Sequence, residues 1–266
     1  MKLARAQEAW HILSKHAAGL ADWRPIIAAY ASTLRSATDQ SPIDLSLRIA
    51  DREFPVRMRK SDIYTVAEIL HERQYVLKSP LPKRPVIIDA GANIGMSALW
   101  FLAYHPEARL VCFEPGSANF GLLTHNLGSY PGVVLEQAAV GVEEGELLLN
   151  LSEHGAMHSV KEAEDVVGSE PTRAVRLDRY LASSGIERVH LLKLDVEGSE
   201  LDTLHGLGDR LGTVDVIAGE MHEELVDETE FYEFLAAHGF RVLQKSRFDS
   251  SADDHVHMFE VSRAAS

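Results

Sequence analysis

A single cysteine, Cys112, carries all the thiol chemistry available to this chain. Intrachain disulfides and a cysteine-type structural zinc site are therefore excluded, and the apolar run around Cys112 marks it as a buried, inert thiol. Basic residues are scarce as well: 26 Lys and Arg stand against 40 Asp and Glu, a formal net charge of −14. Phosphate backbones and anionic bilayers are held through clustered Lys and Arg. The sequence has no such cluster, so neither nucleic acid nor a membrane is an expected partner. It also lacks an apolar run of about 18 residues, the length a spanning helix needs. Lys2 and Arg5 begin the chain as a secretory leader would, but Glu8, His11, Lys15 and His16 break up what would be its apolar stretch. A cytoplasmic protein is expected. The Gly-x-Gly-x-x-Gly spacing of dinucleotide binders is missing too, which weighs against a NAD-dependent oxidoreductase.

What is present is a soluble globular composition, 45% hydrophobic over 266 residues. That is enough for one large core with an appendage rather than two equal domains. The most informative stretch is 86–95, an apolar run that passes through Asp89 into Gly91-Ala-Asn-Ile-Gly95 and then into residues of helical character. This order reads as strand, tight turn and helix, the ligand-binding corner of a doubly wound α/β sheet. Gly91 and Gly95 let the backbone turn sharply and a ligand come close. Asn93 stands where a dinucleotide binder has its second glycine, and Asp89 at the strand end would repel a pyrophosphate. An ammonium or sulfonium centre suits that acid, and S-adenosylmethionine has both. A second strand, 109–113, ends on Glu114, about 20 residues past the turn, where such folds place a carboxylate on ribose hydroxyls. Pro115 stops that strand. A third strand is read over 133–140, with Ala138 small enough to flank an adenine ring and Gln137 able to hydrogen-bond its edge.

Three segments surround this centre. Residues 1–40 form a helical appendage, about 3–18 and 23–34, whose packing face is Trp10, Leu13, Trp23, Ile26, Ile27 and Tyr30. It is expected to cover the acceptor side of the sheet or to join a second subunit in a homodimer. Residues 41–84 read as a β-hairpin, a helix N-capped by Ser61 and a proline-stiffened linker. Residues 85–266 carry the sheet. Within it 146–150 is an extra strand, 152–172 is a polar loop with His154 and His158 expected to act as a lid, and 175–177 is a short strand. Buried strands at 190–195 and 214–222 end on Asp195 and on Glu220-Met-His222. The last pair, 241–245 and 257–261, is joined too briefly for a crossover helix and should be antiparallel.

Asp89-Ala-Gly-Ala-Asn-Ile-Gly95, Phe113-Glu-Pro-Gly-Ser-Ala-Asn-Phe120 and Leu192-Lys-Leu-Asp-Val-Glu-Gly-Ser-Glu200, followed by Leu204-His-Gly206, resemble the FkbM family of S-adenosylmethionine-dependent methyltransferases. Arg59-Lys-Ser-Asp-Ile63 resembles that family's opening segment. The similarity runs over about 57–245 and leaves the N-terminal helices outside. It implies the class I methyltransferase fold, a Rossmann-like α/β architecture of seven strands with the last antiparallel. It also implies O-methylation of a hydroxyl on a small natural product or saccharide. On this reading the cofactor meets Asp89, Gly91, Asn93, Gly95, Glu114, Pro115, Gln137, Ala138 and Asp195. In-line transfer asks for alignment, exclusion of water and a base for the hydroxyl proton. Asp195 is the expected base, with Glu197 and His222 as alternatives. Asp195, Glu197, Glu220 and His222 include hard oxygens that a divalent cation accepts, but the resemblance requires no metal and none is assigned. Carboxyl methylation and a non-catalytic S-adenosylmethionine-binding module are the other readings.

Overall fold

The computed structural model describes residues 2–36, 38–152, 166–247 and 255–263. Helix α1 (Lys2–His11) runs into a π-helical turn, Ile12–His16, and α2 (Trp23–Thr33) follows a short 3₁₀ turn. Leu13, Ile26 and Tyr30 are buried as expected, whereas Trp10 and Ile27 stand 62% and 50% exposed. The π turn breaks the single helical phase that had placed Trp10 and Leu13 on one face.

Strands β1 (Pro42–Ile49) and β2 (Arg52–Arg59) form the expected hairpin, in register from Pro42↔Arg59 to Ile49↔Arg52. The alternating apolar residues Leu45, Leu47, Ile49, Phe54, Val56 and Met58 are all buried. A 3₁₀ turn at Lys60–Asp62 leads into α3 (Ile63–Leu70). The carboxylate that steadies this start belongs to Asp62, which accepts the Arg59 backbone N–H at 2.7 Å. Ser61 is not the cap: the extra 3₁₀ residues carry it inside the turn, where its hydroxyl has no partner among the described residues.

The remaining elements are β3 (Val86–Ala90), α4 (Met96–Tyr104), β4 (Arg109–Phe113), α5 (Ser117–Leu127), β5 (Val133–Glu136), β6 (Ala139–Val140), β7 (Gly145–Ser152), β8 (Val166–Val175), α6 (Leu177–Ser183), β9 (Val189–Leu194), α7 (Glu200–Leu207), β10 (Val214–His222), α8 (Glu228–Ala237), β11 (Phe240–Ser246) and β12 (Val256–Arg263). Seven strands make the main sheet in the order β11-β12-β10-β9-β3-β4-β5. Six run in the same direction, and β12 lies antiparallel between β10 and β11, the class I methyltransferase arrangement. Two expectations change. The third strand ends at Glu136, and β6 pairs instead with β8 in a small sheet. The described ends of the polar stretch, Ser152 and 166–172, are strand, since β8 pairs with β7 from Gly145↔Ala174 to Ser152↔Val166. His154 and His158 lie outside the described residues.

A parallel strand alternates its side chains between two covered faces. Ile87, Leu110, Cys112 and Leu191 face one core, which continues through α4, the hairpin and Ile12 of the N-terminal segment. Ile88, Val111, Leu192 and Ile217 face the other, closed by α6, α7 and α8. The indole N–H of Trp100 donates to the Tyr75 carbonyl at 3.0 Å and so pins the chain after α3 over the strand ends. No helix among the described residues is long and apolar enough to cross a membrane.

Candidate active site

In an open α/β sheet, ligands bind beyond the carboxyl ends of the parallel strands. Here the ends of β3, β4, β9 and β10, with α3 above them, enclose a cavity of about 260 Å³.

Its cofactor corner is built by short-range chain geometry. Gly91 has φ 80°, and a Cβ there would lie 1.8 Å from the Asp195 carbonyl oxygen, so only glycine lets the turn pass so close to the end of β9. Asn93 adopts φ 50° and donates its backbone N–H to Glu114 Oε2 at 2.9 Å, while Gly116 N–H donates to Oε1 at 2.9 Å. Asn119 Nδ2 adds a longer bond at 3.4 Å, and Arg59 donates to Asn119 Oδ1 at 2.8 Å. Arg59 is itself paired with Asp62 at 2.8 Å, so the segment that opens the resemblance props up Glu114 from behind. Burial pushes the Glu114 carboxyl up to about 7 despite these donors. Asn93 Oδ1 is buried without a partner among the described residues. Pro115 and Ala138 complete this wall.

Three expected cofactor residues are placed elsewhere. Gly95 has φ 95° but serves packing, because a Cβ there would meet Leu127 at 2.8 Å and Leu123 at 3.0 Å. Gln137 is exposed and does not line the cavity: the chain turns tightly after β5, with Ala138 N–H on the Glu136 carbonyl, and sends Gln137 outward. Asp89 lies fully buried beneath the floor, accepting from Ser97 Oγ at 2.6 Å and ion-paired with Lys193 at 3.3 Å. Its charge is already matched within the protein.

The acceptor end joins distant segments. Lys193 is 2% exposed on β9, and its ammonium reaches the Gly91 carbonyl at 2.5 Å and Asp195 Oδ2 at 3.1 Å. Burial opposes that charge, but Asp195 and Asp89 outweigh it and hold the ammonium above the usual lysine range. At the end of β10, His222 places Nδ1 2.7 Å from Glu200 Oε1, while Nε2 lies 3.3 Å from Glu197 and 4.0 Å from Glu220. Burial disfavours the imidazolium, yet Glu197, Glu200 and Glu220 together raise His222 well above its ordinary value. Burial also raises Glu197 to about 8, Glu68 to about 7 and Glu220 well above the carboxylate range. Glu197 sits at φ 50°, an uncommon conformation for a side-chain-bearing residue and one that clusters at functional turns.

The structure therefore brings Asp195, Glu197 and His222 together, as the sequence suggested. It adds Lys193, Glu200 and, from the α3 side, Glu68, Gln74 and Tyr75. Lys193 and Glu68 were visible as charges inside apolar runs, whereas nothing local marked Gln74. The described residues of 1–40 line none of the cavity, and α3 takes the covering place expected of them.

Fold and cavity define a methyltransferase of the class I architecture. The chain belongs to the FkbM methyltransferase family, whose sequence model, Methyltransferase FkbM domain, matches residues 89–242. It is 29% identical to Methyltransferase 1 of Beauveria bassiana over 202 residues, covering 66% of this chain and 81% of that protein. It is 30% identical over 212 residues to the 31-O-demethyl-FK506 methyltransferase FkbM of Streptomyces tacrolimicus, covering 66% and 80%. Among solved structures, methyltransferase FkbM from Methylobacillus flagellatus superposes with TM-score 0.51 at 14% identity, covering 90% of this chain and 60% of that one.

Proposed function

We propose that the protein is an S-adenosylmethionine-dependent O-methyltransferase acting on a hydroxyl of a small natural product or saccharide. Glu114 carries the reading. It is a carboxylate 4% exposed, set on two backbone N–H groups beside a glycine turn, in the same cavity wall as the strand-end acids. An ionised carboxylate offers about four acceptor sites. Glu114 spends three on the protein and keeps capacity for a ribose hydroxyl. The orphaned Asn93 Oδ1 fits a cofactor at this corner, where Gly91 also lines the cavity. When bound, S-adenosylmethionine supplies a methyl group on a positively charged sulfur.

The chain's own residues do the rest. Gly91 and Asn93 let the backbone approach the cofactor, and Pro115 and Ala138 flank its base. Asp195, steadied by Lys193, orients the acceptor hydroxyl. Glu197 takes the hydroxyl proton, a role that passes from Asp195 because the Lys193 ammonium at 3.1 Å already engages that carboxylate. Glu200 steadies His222 beside Glu197. Hydroxyl rather than carboxyl acceptors are favoured because a second carboxylate would enter a cavity already rich in acids, and the name of the Streptomyces relative speaks of O-methylation.

Calorimetry of the wild type and Glu114→Ala tests the cofactor assignment. The variant should bind S-adenosylmethionine more weakly by about 1.5–3 kcal/mol, since buried hydroxyls lose a charged acceptor. Equal affinity in a folded variant, or preference for NAD, rejects it. Labelled methyl transfer across hydroxyl and carboxyl acceptors then decides the acceptor class.

A further inference from the structure

We propose that Asp195, Glu220 and His222 bind one divalent metal ion of the manganese type at the acceptor end of the cavity. The site deepens the methyl-transfer reading and rests on it only for its role there, which is to hold the acceptor oxygen and ease loss of its proton. The sequence offered Asp195, Glu197, Glu220 and His222 as possible cation ligands, but no metal was assigned because the family resemblance requires none.

In the fold, each residue presents a donor atom, and all three atoms lie within 4.8 Å of one another. Donors bound at ~2.1 Å to an octahedral ion stand about 3 Å apart along an edge and about 4.2 Å across it, so small side-chain rotations close the set. Two carboxylates and one imidazole suit an ion that accepts both hard oxygen and nitrogen, which is why manganese fits better than calcium.

Each donor residue is also held by a residue outside the trio. Lys193 holds Asp195 Oδ2 at 3.1 Å, Gln74 Nε2 donates to Glu220 Oε1 at 3.1 Å, and Glu200 Oε1 sits 2.7 Å from His222 Nδ1. The last contact turns Nε2 toward the carboxylates. Outer partners of this kind orient metal ligands and tune their affinity. One further buried atom asks for a ligand: the Ser199 hydroxyl, 3% exposed in the cavity wall, has no partner among the described residues.

A second cluster shows what a filled version of such a site looks like. Glu223, Glu228 and His257 also bring three donors together, but Arg247 caps Glu223 at 2.5 Å, Lys245 caps Glu228 at 2.8 Å and Tyr232 engages His257 Nε2 at 2.8 Å. There the protein supplies its own cations. No lysine or arginine pairs with Glu220 among the described residues.

The probe is Mn²⁺ alone, followed by electron paramagnetic resonance on the full chain, with S-adenosylmethionine binding measured separately. One ion per chain should bind, at least tenfold more weakly in Glu220→Gln and in His222→Gln, and about tenfold more weakly in Glu200→Gln. Circular dichroism and the melting midpoint confirm that each variant is folded. Absence of saturable binding in folded wild type overturns the proposal, as does unchanged affinity in both ligand variants. If Mn²⁺ fails while S-adenosylmethionine binds, the metal inference falls alone. If Mn²⁺ binds and S-adenosylmethionine does not, the metal site stands and the methyl-transfer reading falls.

Discussion

At one end of the cavity Glu114 is buried on the backbone N–H groups of Asn93 and Gly116. At the other, Asp195, Glu197, Glu200 and Glu220 are gathered around Lys193 and His222. Neutral donors from a turn and a strand exit fix one carboxylate locally, with Arg59 supporting it only indirectly through Asn119. A charge network works differently: every member's energy depends on its neighbours' protonation, and removing one leaves the others exposed to their full desolvation cost. The proposed function thus puts recognition on the local end and chemistry on the coupled end.

The sharpest way to break the contrast is Lys193→Met. It strips the ammonium from Asp89 and Asp195, one of them fully buried, and should cost about 3–5 kcal/mol of stability in urea unfolding. Pairing it with Asp89→Asn should recover part of that loss. A loss under about 1 kcal/mol for the single variant would show that the network is not coupled as described. Next in size is Glu197→Gln, which should slow methyl transfer by about 10²-fold or more while S-adenosylmethionine affinity stays within about threefold. Matching losses in both would place Glu197 in the cofactor corner and erase the distinction between the two ends.

The smallest effect concerns pH. Glu114 is raised to about 7 from an ordinary 4.5 by burial, so the cofactor-free folded protein keeps a proton that the unfolded chain releases. The stability this contributes is complete below pH 4.5 and is lost as the pH climbs through about 7. Glu68 acts in the same direction. The urea midpoint should fall across that interval, and Glu114→Gln should flatten the slope. An unaltered slope would mean that backbone donors, not burial, control this carboxyl.

The cofactor corner was readable because its parts are local. Gly91, Asn93 and Glu114 lie within one strand-turn-helix-strand unit, and their spacing alone brings them together. The same reasoning failed for Gly95 and Gln137, since a left-handed glycine can serve helix packing as well as a ligand, and a tight turn reverses which neighbour faces inward. Asp89 was seen as a strand-end acid, but its partner Lys193 is 104 positions away and was read only as part of an apolar strand.

Hydrophobic alternation and turn chemistry in the sequence by themselves determined the hairpin, the order of strands and helices and the antiparallel final pair, because those depend on periods of two and 3.6 residues and on loop length. Tertiary structure alone decided that α3 rather than the N-terminal helices roofs the cavity, that Lys193 neutralises two acids, and that Asp195, Glu220 and His222 converge. Side-chain direction and the distance between strand ends follow from sheet order and register, and no short-range pattern along the chain encodes either one.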